Sequence, residues 1–140
     1  MINHINLSTG RLKIHKLAMD DYDAYHDMLK MSKLRFFFRV NDNRTLGIYL
    51  EDELIGHLVL TFIDKDNLNV GYRLRTIYRH QGYMKEAVSA ISDFLEDKVK
   101  NLVIVTEKDN QASIAIAMDC GYALSKIDHY YTFLRSRNEN

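Results

Sequence analysis

Arg79, His80, Gln81 and Gly82 stand directly ahead of an amphipathic stretch, in the run YRHQGYMKEA (78–87). A cation beside a helix start that carries a bare position is an arrangement that can receive a phosphate. The first four N–H groups of a helix have no partners within it, and the positive end of the helix dipole lies there. On this reading Gly82 gives an anion access to the backbone and Arg79 adds charge beside the cradle. On the other reading Gly82 makes a tight strand-to-helix turn, and Arg79 and His80 are solvated loop residues. Glycine in a first turn costs up to ~1 kcal/mol relative to alanine, so an offset is needed or the cost is tolerated. Position favours the phosphate: the segment follows a predicted strand and opens a helix inside a βαβ unit, at the strand end where such sheets bind ligands.

Other reactive side chains are sparse. Cys120 is the only cysteine, which excludes an internal disulfide and a cysteine-based metal cluster. The six histidines show no short His-x-x-x-His pair, so no metal is expected. Nineteen Lys and Arg balance nineteen Asp and Glu, which gives no general grip on nucleic acid. No apolar run approaches the ~20 residues of a membrane span, and residues 1–10 lack a secretory pattern, so no membrane partner and a cytoplasmic location are expected.

The elements that must position these residues follow from periodicity. At 140 residues, without proline, linker or repeat, the chain reads as one domain over 1–140. RLKIHKL (11–17) alternates as a half-buried strand, and a helix follows in DDYDAYHDMLK (20–30), capped by Asp20, with Tyr22, Tyr25, Met28 and Leu29 on one face. LRFFFRVNDNR (34–44) is compatible with a short helix or a packed loop, and its three phenylalanines cannot all face one way. TLGIYL, LIGHLVLTFI and LNVGYRL form a three-strand meander, turned at EDE (51–53) and DKDN (64–67). Met84, Ala87, Val88, Ile91, Phe94, Leu95 and Val99 recur at helical spacing over ~82–99. LVIVT (102–106) has the continuous apolar run of a strand buried on both faces, parallel to ~68–74. Asn110 can cap a helix over QASIAIAMDC, Gly121 can end it, and 122–135 closes as a hairpin. The sum is an α+β fold: a mixed, mostly antiparallel twisted sheet of about seven strands with helices on both faces and one parallel βαβ unit.

NVGYRLRTIYRHQGYMKEAV (69–88) resembles the Gcn5-related N-acetyltransferase (GNAT) superfamily, and within it the branch that modifies ribosomal-protein N-termini. The family pattern is Arg or Gln, two residues, Gly, one residue, then Gly or Ala; Arg79, Gly82 and Met84 occupy those positions, and Met84 departs from the small residue. TGRLKIHKL resembles the family's first strand, IYLEDELIGHLVL its hairpin, and DNQASIAIAMDCGY its later Asn-x-x-Ser helix.

The resemblance implies an acetyl-coenzyme A-dependent N-acetyltransferase with no metal. Its pantetheine arm would pair with the backbone of Val70, Gly71, Tyr72 and Leu74, and its pyrophosphate would sit on Arg79, His80, Gln81, Gly82, Tyr83 and Met84. It also implies that Asn110 bonds the pantetheine arm, besides or instead of capping, and that Ser113 lies near the sulfur. Ser113, Tyr130 or Tyr131 could then protonate the leaving thiol. Many relatives carry a glutamate base where this chain has Asn69, which cannot take a proton at neutral pH. His57, with an ordinary pKa of ~6.5, is the titratable residue on the neighbouring strand, and a polar residue on an open sheet face is its other reading. At pH 7 an α-amine with pKa ~7.8 is roughly one-tenth neutral, whereas a lysine is neutral at about 0.04%. The acceptor expected is therefore a peptide N-terminus or another low-pKa amine, met in part by region 30–45. A monomer and a homodimer are equally compatible. The Asn69 and Met84 departures leave a second reading open: a catalytically impaired acyl-coenzyme A-binding module or an interaction protein.

Overall fold

The alternation over 12–16 becomes strand β2 (Leu12–Lys16), with Leu12 and Ile14 buried and Lys13 exposed. In this computed structural model, which describes residues 4–137, the remaining strands are β1 (Leu7–Ser8), β3 (Thr45–Leu50), β4 (Glu53–Phe62), β5 (Asn67–Leu74), β6 (Asn101–Thr106), β7 (Ala123–Ile127) and β8 (Tyr131–Ser136). The helices are α1 (Tyr22–Met28), α2 (Lys33–Val40), α3 (Tyr83–Leu95) and α4 (Gln111–Asp119). All eight strands belong to one sheet in the order β1-β2-β3-β4-β5-β6-β8-β7. The pairs β1–β2, β2–β3, β3–β4, β6–β8 and β7–β8 are antiparallel, and β5–β6 is parallel. This is the mixed, mostly antiparallel sheet with one βαβ unit that the pattern predicts, with eight strands rather than seven. The two-residue β1 is too short to leave a periodic signal.

By contacts the chain divides into two compact units, Met1–Val59 with Tyr72–Ala87, and Leu60–Gly71 with Val88–Asn140. Residues 1–3 and 138–140, the ends of the expected 1–140 domain, lie outside the described residues.

The first unit has a core of Leu17, Tyr25, Met31, Phe36, Val40, Tyr49 and Leu54, with Tyr22, Ala24, Met28 and Leu29 packed against it. The α1 face read from the sequence is therefore the buried one. Its start differs from expectation: a 3-10 turn at Met19–Asp21 precedes it, and the carboxylate of Asp21, not Asp20, accepts the Ala18 N–H at 2.9 Å. The ambiguous 34–44 segment resolves as α2, because Ser32 Oγ accepts the Arg35 N–H at 3.2 Å and caps it. Only Phe36 of its phenylalanines is buried; Phe37 and Phe38 are exposed. A fully buried Phe contributes roughly 1.5–3 kcal/mol, enough to fix which side of α2 faces inward. Glu51 and Asp52, both left-handed at φ 50° and 69°, make the two-residue β3–β4 hairpin turn.

The second unit buries Leu68, Val70, Val88, Ile91, Leu95, Leu102, Val103, Ile104, Ala117, Tyr122 and Phe133. In β6 the expectation of burial on both faces holds for Leu102, Val103 and Ile104 but not Val105, which is half exposed. Helix α3 ends at Leu95 rather than 99. The Lys98 and Val99 N–H groups both fold back onto the Leu95 carbonyl, so Val99 stays buried without continuing the helix. Arg135 of β8 donates to Asp93 at 2.7 Å, to Glu96 at 2.5 Å and to the Cys120 carbonyl at 3.1 Å. Gly121 terminates α4 as predicted: at φ 85° it lets Tyr122 N–H reach Ala117 O at 3.0 Å and Gly121 N–H reach Met118 O at 3.3 Å, a Schellman closure.

Candidate functional site

The end of β5 is fixed by Arg75. Its guanidinium donates to Asp27 at 3.1 Å, Glu53 at 2.7 Å and the Leu54 carbonyl at 2.8 Å, while its own N–H reaches Ile55 O at 2.7 Å. Burial alone would lower the Arg75 pKa, but the hydrogen bonds to Glu53 and Asp27 outweigh it and raise it further. From this anchor a 3-10 turn, Thr76–Tyr78, leads into the loop that opens α3.

The loop backbone has an unusual hand. His80 sits at φ 66° and Gly82 at φ 81°, with Gln81 between them outside the positive region. For L residues that conformation costs roughly 1–2 kcal/mol, so His80 carries strain that glycine avoids. Left-handed residues alternating with ordinary ones turn neighbouring N–H groups towards a common concavity, the form of an anion nest. Gly82 O accepts the Glu86 N–H at 3.1 Å, which makes Gly82 the cap residue of α3 rather than a member of its first turn. Its expected bareness therefore stands one residue earlier, and its φ gives the reason for glycine. A Cβ placed there would lie 3.4 Å from Arg11 Nη2. Arg79 is partly committed: its Nε donates to Leu74 O at 3.2 Å, and the Nη end is what remains for an anion. Tyr83 is half-buried, and Met84 is buried at 6% exposure, so only its backbone can serve a ligand.

No local pattern points to Arg11 at this loop. Its Nε donates to Glu86 Oε1 at 2.8 Å, its backbone N–H to Glu86 Oε2 at 3.0 Å and its Nη1 to Gln81 O at 3.1 Å; its guanidinium lies 4.3 Å from the Tyr83 ring centroid. The Thr9 hydroxyl also donates to Glu86. Burial alone would raise the Glu86 pKa, but these donors outweigh it and hold the carboxyl below the usual range. Contacts between residues some 70 positions apart leave no local pattern to read.

His57 belongs to the same unit and is buried at 6% exposure, its Nδ1 2.7 Å from the Tyr25 hydroxyl. Burial, reinforced by the charges of Arg39 and Arg73, lowers its pKa to about 3. At neutral pH the ring is uncharged and a weak base, and the open-face position expected of it is a buried one. Tyr25 in turn is pushed up to about 12, chiefly by burial, while Arg39 Nη1 approaches its hydroxyl at 3.4 Å.

In the second unit the parallel ladder joins Asn67, Leu68 and Asn69 to Asn101, Leu102 and Val103, and among the described residues of that unit it goes no further, although β5 and β6 both continue. Asn101 Nδ2 closes that end by donating to Asn67 Oδ1 at 3.0 Å. Val70 is buried and Gly71 half-buried; Leu74, in the first unit, is buried and Tyr72 half-buried. Asn110 Oδ1 accepts the Ser113 N–H at 3.1 Å, the cap that the sequence suggests. Tyr130 stands in the turn between β7 and β8, not in a strand, because its N–H and carbonyl are both bonded to Asp128. Tyr131 opens β8. Cys120 is buried and forms no disulfide, and among the described residues no group of three His, Cys, Asp or Glu could hold a metal. No described helix is long and apolar enough to cross a membrane.

One mixed, mostly antiparallel sheet with a parallel β5–β6 pair, and a left-handed backbone ahead of α3, are what the fold contributes here. Residues 11–123 match the model of the acetyltransferase (GNAT) domain, and the chain belongs to that family. None of the curated proteins matches it significantly by sequence. Among solved structures it is similar to a GNAT-family acetyltransferase from Bacillus anthracis, at 20% identity, TM-score 0.82 and coverage of 95% of this chain and 99% of that one. It is also similar to RimL, a ribosomal L7/L12 alpha-N-protein acetyltransferase in complex with coenzyme A, at 18% identity, TM-score 0.81 and 94% and 98% coverage. A third is the microcin C7 self-immunity acetyltransferase MccE in complex with acetyl-CoA and AMP, at 17% identity, TM-score 0.74 and 91% and 93% coverage. At these identities the likeness is one of fold.

Proposed function

We propose that this chain, acting as one domain over 1–140 in the cytoplasm, as monomer or homodimer, transfers an acetyl group from acetyl-coenzyme A to a primary amine, a peptide N-terminus or a small-molecule amine. The backbone of 79–84 carries this reading. Two left-handed residues, the second of them a cap without a side chain, and the Nη end of Arg79 make a cradle suited to a pyrophosphate. The end of the β5–β6 ladder supports it, because backbone N–H and C=O groups on a strand edge suit an amide-bearing arm.

Acetyl-coenzyme A supplies the acetyl group as a thioester when bound. The backbone of Val70, Gly71, Tyr72 and Leu74 orients the arm, and a β5 N–H polarises the carbonyl in the manner of an oxyanion hole. Asn110, whose Oδ1 is held by the cap, has its Nδ2 to offer the arm. The amine nitrogen forms the new bond to the acetyl carbon as the carbon–sulfur bond breaks. Ser113 or Tyr130 gives a proton to the departing sulfur, and the amine's surplus proton passes to water. His57, neutral and bonded to Tyr25, holds that tyrosine in this scheme. An α-amine, already roughly one-tenth neutral at pH 7, makes a strong base unnecessary.

Thiol release from acetyl-coenzyme A tests this against matched peptides, one offering an α-amine and one only a lysine. The α-amine peptide is expected to react faster, and a faster lysine peptide would refute the acceptor class. Asn69 and the weakly basic His57 favour one other reading, a binding module without turnover; tight cofactor binding with no thiol release on any amine would establish it.

A further inference from the structure

Glu86 places a carboxylate within the first turns of α3, close to where a phosphate would approach. Left alone, an acid there opposes an anionic ligand, since like charges in a partly desolvated site repel. The structure does not leave it alone. Arg11, in the turn between β1 and β2, meets Glu86 twice, through Nε at 2.8 Å and its backbone N–H at 3.0 Å. The Thr9 hydroxyl occupies Glu86 Oε2 as well. The same guanidinium reaches Gln81 O at 3.1 Å, the carbonyl between the two left-handed residues, and its Nη2 lies 3.4 Å from where a Gly82 Cβ would stand. One side chain therefore touches the strained loop, the cap position and the only acidic residue in the first turns of the helix.

Resting on the acetyl-coenzyme A reading above, we propose that Arg11 is a positioning residue for the phosphate site: it cancels the Glu86 charge and pins the Gln81 carbonyl, so that the 80–84 N–H groups face a phosphate with no free acid beside them. Arg11 thereby acts on the phosphate-bearing end of the cosubstrate and on no step of acetyl transfer. A lysine replaces it only in part, because one ammonium does not span Glu86 and Gln81 in the planar, forked geometry of a guanidinium.

The test compares KM and kcat for acetyl-coenzyme A and for acetyl-pantetheine, which lacks the phosphates. Arg11→Ala is expected to raise KM for acetyl-coenzyme A about tenfold, with kcat within about twofold and KM for acetyl-pantetheine unchanged. Adding Glu86→Gln to Arg11→Ala removes the uncovered acid and is expected to restore most of the lost affinity. Arg11→Lys, which keeps the charge should the alanine variant fail to fold, is expected to raise KM about threefold. Equal losses for both thioesters, or no recovery in the double variant, would overturn the proposal. So would wild-type KM in Arg11→Ala while Gly82→Val abolishes binding. Wild-type protein that binds no acetyl-coenzyme A, or a Gly82→Val variant that binds it normally, would instead overturn the acetyl-coenzyme A reading itself.

Discussion

Helices α3 and α4 begin in opposite ways. At α4, Asn110 turns its carboxamide back onto the Ser113 N–H, so the helix satisfies one of its own orphan donors. At α3 the cap residue is Gly82, which has no side chain to turn back, and His80, two residues before it, adopts left-handed backbone at a cost. A helix built only for stability would start as α4 does. Helix α3 thus forgoes a cap, worth typically ~1 kcal/mol, at the position proposed above to receive an outside anion. A left-handed glycine elsewhere sharpens this. Gly121, at φ 85°, closes a Schellman motif with two hydrogen bonds and so explains itself structurally, whereas Gly82 closes nothing comparable.

Filling the bare start should cost the most. Gly82→Val puts a β-branched residue at φ 81° in contact with Arg11, and calorimetry should show acetyl-coenzyme A affinity reduced by more than about 100-fold. Normal binding would make α3 a plain helix with a costly turn.

Acid should next weaken the unit that carries the bare start, because His57 is buried there. Its folded pKa of about 3 lies below the ordinary 6.5, so between those values the unfolded chain binds more protons. Stability is then full above pH 6.5 and falls as pH drops, by about 2 kcal/mol at pH 5. Urea unfolding checks this, and His57→Gln should flatten the slope.

The smallest effect separates cap from ligand contact at α4. Asn110→Ala should cost about 1 kcal/mol in stability. Asn110→Asp keeps an oxygen for the Ser113 N–H but loses the Nδ2 donor. It should melt like the parent while binding acetyl-coenzyme A about tenfold more weakly. Unchanged affinity in the Asp variant would reduce Asn110 to a cap alone.

What could be read in advance follows the range of the interactions. Period-two and helical patterns located β2 to β8, α1, α3 and α4, and Asn110 and Gly121 were legible as cap and terminator because capping chemistry is local. Helix α2 stayed open between helix and loop because its aromatic run blurs the apolar face, and the Ser32 cap shows only in the folded chain. The glycine of the cradle was visible, its exact place and hand were not: φ 81° is a property of the folded loop. Arg11 with Glu86, Arg75 with Asp27 and Glu53, and His57 with Tyr25 join distant positions, so no spacing rule could pair them. The depressed pKa of His57 is likewise set by burial that its own strand does not reveal.

Everything proposed for this chain rests on the loop opening α3 receiving a phosphate. Calorimetric titration of the wild-type protein with acetyl-coenzyme A and with acetyl-pantetheine tests it most directly, since the two share the thioester and differ in the phosphates. Binding at least about 100-fold tighter is expected for acetyl-coenzyme A; equal affinity for the two would rule the phosphate site out.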